Sequence, residues 1–222
     1  MSLCSVIPFK PVNPKTRLSS ILSREERETF ARCMLEDVIG AIPRESSRTV
    51  VLATDVSFSC ENADVEVVEA GLNDALNQLF RRAGSEVLMV MADLPLADRE
   101  SLKRLISTEA DVAISPGRGG GTNALFLKDP RRFRADFYGL SFLKHLGIAA
   151  EFGCSVEVID SFRLHTDVDE VSDLVEVLIH GRGRSRSFLE VLGFSLAPEE
   201  GRVRVKRHTH EEALRGIDRV NA

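Results

Sequence analysis

The sequence predicts a three-layer α/β fold, a mainly parallel sheet with helices on both faces. Strand-like and helix-like patterns alternate along the chain, the signature of a layered α/β protein. The run VLMVMA at 87–92 is apolar at every position, as a strand covered on both faces must be, so it belongs near the sheet's centre. At 222 residues, 43% hydrophobic and 28% charged, the chain can bury one substantial core and is short for two.

The elements follow in order. A first strand covers 4–8, and a polar, proline-punctuated loop, KPVNPKTR, occupies 10–17. Ser23 and Glu26 form a capping box that opens a helix with Ala31, Met34, Leu35 and Val38 on one face. Strands at 49–54 and 65–69 precede a helix whose core residues are Leu72, Ala75, Leu76, Leu79 and Phe80. After the central strand, Asp98 caps another helix, a strand covers 111–115, and the loop GRGGGTN at 117–123 leads into a strand at 124–127. Ser141 is expected to cap a helix over 142–150, and 155–159 and 162–165 read as short strands. Val171, Leu174, Val175, Leu178 and Ile179 mark a helix that Gly181 would end in the left-handed conformation. Residues 185–194 read as helical, and the tail holds one alternating strand, VRVKR, before a polar end with His208 and His210. No linker interrupts the chain, so a single domain over 1–222 is expected, with the tail from about 195 peripheral.

Net charge is −5 and there is one Tyr and no Trp, which argues against a nucleic-acid partner. No apolar run is long enough to span a bilayer, and no secretory signal pattern opens the chain, so a cytoplasmic protein without membrane contact is expected. Cys4, Cys33, Cys60 and Cys154 lack the spacing of a disulfide framework or zinc site.

Four features fall at strand ends or in the loops after them, where open α/β sheets bind ligands. Lys10, Lys15 and Arg17 place three cations on a proline-stiffened loop, suited to a triphosphate or simply to solvent. Asp93 ends the most apolar strand, where a carboxylate needs a partner; Mg²⁺ is one candidate and a turn before Pro95 the other. Gly119, Gly120 and Gly121 let backbone N–H groups approach an anion, with the Thr122 hydroxyl and Asn123 amide alongside, or form a plain surface turn. Asp167 and Asp169 could complete a metal site with Asp93 or serve as helix N-terminal acids. His145 and His180 read as structural, and Tyr138 and Phe142 as core aromatics.

Taken in order, IPFKPVNPKTRL, GLNDAL at 71–76, ADLPL at 92–96, GGGTNAL at 119–125 and DVDEVSDL at 167–174 resemble the 2-phospho-L-lactate guanylyltransferases of coenzyme F-420 biosynthesis in methanogens. The resemblance runs from residue 7 to roughly 194 and implies a GT-A-like nucleotidyltransferase fold. It implies that the phosphate of 2-phospho-L-lactate attacks the α-phosphorus of GTP, releasing pyrophosphate. By the same resemblance Lys10, Lys15 and Arg17 would hold the triphosphate, with Pro8, Gly71, Leu72 and Asn73 along the nucleotide. Asp93, Asp167 and Asp169 would hold Mg²⁺, and Thr122, Asn123, Gly139 and Ser141 would bind the phosphorylated acid. The family pattern F-G-x-x-S reads here Phe137-Tyr138-Gly139-Leu140-Ser141, so Tyr138 stands at the expected glycine and Gly139 would take over. Open alternatives are phosphoenolpyruvate as acceptor, a molybdenum-cofactor guanylyltransferase or sugar-acid cytidylyltransferase of the same fold, or a non-catalytic nucleotide-binding protein. The helices near 170–194 and the tail offer apolar surface for a homodimer.

Overall fold

The computed structural model describes residues 2–199 and 201–208. His210 and the rest of the expected polar end lie outside the described residues. Strands β1 (Leu3–Phe9), β2 (Ser46–Ala53), β3 (Asp64–Val67), β4 (Glu86–Val90), β5 (Val112–Pro116), β6 (Thr122–Leu127) and β7 (Val156–Val158) form one sheet in the order β3-β2-β1-β4-β6-β5-β7. Six of them run parallel to a neighbour in the expected way, whereas β6 is antiparallel to both β4 and β5. The cause is the short glycine-rich connection after β5. Gly117 N–H donates to the Gly121 carbonyl at 2.9 Å, closing a turn too tight for a parallel crossover.

Side chains alternate across the sheet and build two apolar layers. On one face Ile7, Val51, Leu88, Val90 and Phe126 pack against α1 (Arg24–Ala41), α3 (Arg99–Ile106), α6 (Leu174–His180) and α7 (Arg184–Val191). On the other, Val6, Leu52, Met89, Ile114 and Leu125 pack against α2 (Leu72–Arg82) and α4 (Ser141–Glu151). This is the three-layer arrangement expected. Each fully buried side chain of this size contributes roughly 1.5–3 kcal/mol of transfer free energy.

The capping boxes of Ser23 with Glu26 and of Asp98 with Ser101 form at the expected helix starts. Five expectations are corrected. Residues 162–165 are not a strand but the helical turn α5 (Phe162–His165), because Leu164 and His165 N–H both turn back to the Ser161 carbonyl and the Thr166 hydroxyl bonds Phe162 O. Ser141 does not cap α4: it is the first helical residue, Leu140 holds the cap position, and the serine hydroxyl faces inward. Gly181 is extended (φ −64°), and a glycine stands there because a Cβ would lie 2.4 Å from the Val177 carbonyl oxygen. Tyr138 is no core residue; it is 71% exposed. A strand β8 (Phe194–Glu199), part of which was expected to be helical, pairs antiparallel with β9 (Arg202–Arg207). Its Phe194 is buried in the core, and Arg207 bonds the Ile21 carbonyl and pairs with Glu26.

Candidate active site

The strand order reverses between β1 and β4. In open α/β sheets such a reversal leaves a crevice at the carboxyl ends of the strands. A cleft of about 810 Å³ lies here, lined by the loop after β1, the start of α2 and the segment after β4.

Helix α1 fixes the loop after β1. Arg27 is buried and its Nη1 donates to the Pro14 carbonyl at 2.5 Å, while Asn13 N–H donates to Glu28 Oε1 at 2.9 Å. Asn13 and Lys15 both take positive φ (47° and 50°), a conformation that side chains resist and that persists only where the surroundings impose it. The result turns Lys15 inward. Its Nζ lies 2.6 Å from Asp93 Oδ2 and 2.7 Å from Asp169 Oδ1. Arg17 approaches Asp169 from outside at 3.7 Å. Burial, the largest influence on Lys15, pulls its pKa down, but the two carboxylates outweigh it and hold the pKa above the ordinary value. The ammonium is therefore permanent, and the two aspartates share it.

The Asp167–Asp169 segment is held in place by backbone and side chains together. Val168 N–H donates to the Asp93 carbonyl at 3.0 Å. Asp173, buried behind it, accepts from the N–H groups of Asp169 and Glu170, each at 2.8 Å, and pairs with Arg118 of the glycine-rich turn. Asn123 donates through Nδ2 to the Leu164 carbonyl at 2.8 Å and reaches Asp167 Oδ1 at 3.4 Å. Burial and then the neighbouring Asp93 charge raise the Asp167 pKa.

Of the residues singled out from sequence, the structure brings Pro8, Lys10, Lys15, Arg17, Gly71, Leu72, Asp93 and Asp169 into the cleft lining. Gly71 precedes α2 with ordinary φ, and a Cβ there would touch nothing, so its smallness leaves room rather than permitting a turn. Asn73 is spent elsewhere: Phe137 N–H donates to its Oδ1 at 2.7 Å and its Nδ2 donates to Phe137 O at 3.3 Å. Asn123 holds the Asp167 segment instead of facing the cleft. Among the glycines, Gly117 is required because a Cβ would fall 2.2 Å from Asn123 Oδ1, and Gly120 (φ 82°) lies against Leu140. That turn is shaped by packing at these positions.

Thr122 and Ser141 do meet, behind the cleft. Both are buried, their hydroxyl oxygens are 3.4 Å apart, and Thr122 Oγ1 lies 2.9 Å from His145 Nδ1. The three residues before Ser141, namely Tyr138, Gly139 and Leu140, all take positive φ (76°, 51° and 34°). Tyr138 holds a conformation natural to glycine, and its side chain lines the cleft edge. Leu52, Thr54, Val68 and Ala70 also line the cleft and were missed. In the sequence they are indistinguishable from ordinary strand ends. His145 was read as structural; its contact with Thr122 had no sequence signal, being set by the packing of α4 beside β5 and the glycine-rich turn.

Among the described residues no three carboxylate, imidazole or thiol groups form a ready-made metal cage. Mg²⁺ does not need one, since it is usually held by one or two carboxylates together with substrate phosphates. Asp93 and Asp169 already share one cation, Lys15, at hydrogen-bond distance, so an all-oxygen pair suited to a hard ion is present.

The profile of the family described as "Guanylyl transferase CofC like" matches residues 3–208. A 2-phospho-L-lactate guanylyltransferase from Methanoculleus marisnigri is 58% identical over 212 residues, covering 95% of this chain and 98% of the relative. One from Methanoregula boonei is 55% identical over 203 residues, covering 91% and 94%. Among solved structures, a protein of the nucleotide-diphospho-sugar transferase type from Desulfovibrio desulfuricans G20 superposes with a TM-score of 0.67 over 86% of this chain and 95% of that one, at 18% identity. That likeness shows the GT-A-like fold. The match across nearly the whole chain means that this protein belongs to the CofC-like guanylyl transferase family, and is a nucleotidyltransferase.

Proposed function

We propose that the protein transfers GMP from GTP to 2-phospho-L-lactate, giving lactyl-2-diphospho-5'-guanosine and pyrophosphate, the step assigned by name to its relatives. The observation that carries the reading is the junction of Lys15, Asp93 and Asp169 at the strand-order reversal, beside a cleft large enough for a nucleotide. Lys10, Lys15 and Arg17 meet the triphosphate, and Pro8, Gly71 and Leu72 lie along the nucleoside; Asn73 supports them by fixing Phe137. Thr122, Ser141 and the Gly139 backbone receive the acid, with Asn123 holding Asp167 in place.

The acceptor phosphate is anionic near neutral pH, so the reaction needs no protein nucleophile or base. What remains is in-line alignment and neutralisation of charge on the α-phosphate and departing pyrophosphate. Asp93 and Asp169, with Asp167 beside them, would hold Mg²⁺, which when bound neutralises phosphate charge. With Mg²⁺ held there, the Lys15 ammonium would be released from the carboxylates to pair with the triphosphate. Arg17, already at the rim, can grip two phosphate oxygens.

The reading implies a single catalytic domain, no nucleic-acid partner and a cytoplasmic setting where both small substrates are found. Among the described residues no helix is long and apolar enough to cross a membrane. Exposed Ile179, Val191 and Val203 supply apolar surface for a homodimer, which sedimentation would detect.

The test is pyrophosphate release with purified protein and Mg²⁺, across four NTPs, with 2-phospho-L-lactate, phosphoenolpyruvate or no acid. Release with GTP and phospholactate alone is expected. Release with another NTP or only with phosphoenolpyruvate would reassign the substrates, and none with any pairing would refute the reading.

A further inference from the structure

His145 is fully buried on α4, with the Phe133 ring tilted against it at 5.5 Å and the Phe137 ring edge-on at 4.8 Å. Its two nitrogens have different partners. The backbone N–H of Asp136 points at Nε2 at 3.0 Å, and Thr122 Oγ1 lies 2.9 Å from Nδ1. The Asp136 amide has only a proton to give, so Nε2 accepts. A neutral ring then carries its proton on Nδ1 and donates it to Thr122 Oγ1. The ring is neutral: burial lowers its pKa to about 4, against a partial opposing pull from Asp136, with Lys144 and Arg134 adding to the depression.

The consequence comes from counting protons. Thr122 and Ser141 bring two hydroxyl protons, and the 3.4 Å contact between them consumes one, whichever group donates. Because His145 asks for no proton from Thr122, one O–H is left over for a third acceptor. Were the proton on Nε2 instead, Thr122 would donate to the ring and Ser141 to Thr122. Both protons would be spent, and the pair would present only lone pairs to an anion.

We propose that His145 is a positioning residue that fixes the hydroxyls of Thr122 and Ser141 as net donors toward the anionic acceptor substrate. The proposal rests on the reading that the phosphorylated acid binds at these hydroxyls. It assigns to a buried residue, four positions after Ser141 on α4, a role in substrate selection: the site favours a group rich in lone pairs over one that must itself donate.

Two substitutions separate this role from packing. In His145→Gln the amide sits at the depth of Nε2, so its oxygen accepts from the Asp136 N–H while its NH2 group lies too far out to stand in for Nδ1–H at Thr122. In His145→Asn the short amide can donate at the Nδ1 position. For Gln, KM for 2-phospho-L-lactate is expected to rise about tenfold, the usual worth of a hydrogen bond to a charged group, with KM for GTP within about twofold. For Asn, the phospholactate KM is expected to return to within about threefold of wild type. An unchanged acid KM in Gln, or equal rises in both KM values, would overturn the proposal. Where either variant fails to fold, a long-range ¹H–¹⁵N correlation spectrum of the histidine rings in the intact protein decides. A proton on Nδ1 of His145 supports the proposal, and one on Nε2 overturns it. Wild-type turnover without any requirement for a phosphorylated acid would sink the function reading instead, while leaving the tautomer result to stand or fall by itself.

Discussion

Lys15 occupies the position between two carboxylates that a divalent ion could also fill. Its side chain is 12% exposed while those of Asp93 and Asp169 are 20% and 45% exposed, so removing it leaves a half-buried pair of like charges. A fully buried ion pair broken on one side costs about 3–5 kcal/mol, and exposure of these partners lowers that to roughly 1–2. Lys15→Ala should therefore melt earlier than wild type in chelator, and Mg²⁺ should raise its Tm more than that of wild type. Its KM for GTP should rise at least about tenfold with the acid KM little changed, by loss of a charge-assisted bond to phosphate; equal KM values would return the loop to a solvated role. Asp93→Ala should keep the fold, since the side chain lines the cleft and Asp169 still pairs with Lys15, and reduce turnover by about 10²–10³-fold, the scale of losing a preorganised electrostatic group. Near-normal pyrophosphate release would refute its proposed metal role. A further residue-scale effect is stability against pH. His145 has its pKa lowered from 6.5 to about 4, so the unfolded chain binds a proton that the folded chain refuses. Its contribution is fully present above about pH 6.5, is lost as pH falls toward 4, and is flat below; at most it amounts to about 3 kcal/mol. Subtracting the urea-derived stability profile of His145→Asn from that of wild type isolates this slope, and parallel profiles between pH 6.5 and 4 would contradict it.

At the scale of elements, the start of α7 depends on a tertiary cap. Asp37 on α1 accepts from the N–H groups of Arg184 at 2.6 Å and Ser185 at 3.0 Å, and from the Ser185 hydroxyl. Gly183 is required beside it, because a Cβ would fall 2.1 Å from Asp37 Oδ1. Asp37→Ala should cost about 1–2 kcal/mol, the upper range for a helix N-cap, with kcat and both KM values unchanged because the cap is remote from the cleft lining. Thermal melting beside steady-state kinetics would check both halves; a large kinetic effect would mean that α7 is coupled to the cleft. Arg27 belongs to the same scale. Buried under the Lys15 loop and bonded to the Pro14 carbonyl, it ties an α1 position to the backbone that aims the Lys15 ammonium.

At the scale of the whole molecule, the site exists because the strand order reverses between β1 and β4. The loop after β1 carries the cations and the end of β4 carries Asp93, so the reversal brings residues 78 positions apart to 2.6 Å. The Asp167–Asp169 segment, 154 positions from Lys15, closes the third side. Strand β6, antiparallel to both its neighbours, matters equally. It carries Thr122 and Asn123 at one end, so the tight glycine turn delivers Thr122 to Ser141 and His145, and Asn123 to the Asp167 segment.

The chain by itself determined the layered α/β class, most strands and helix starts, and the four loops that carry charge, because hydrophobic period, capping pairs and glycine runs are local quantities. Lys10, Lys15, Arg17 and Asp93 were legible for that reason, as charges placed just beyond apolar strands. The tertiary structure alone decided that β6 runs antiparallel, that 162–165 turns as a helix, that Lys15 pairs with Asp93 and Asp169, and that Asn73, Asn123 and His145 support neighbours. Each of these depends on contacts between residues far apart in sequence, where hydrogen-bond partners are supplied by packing and local preference gives way.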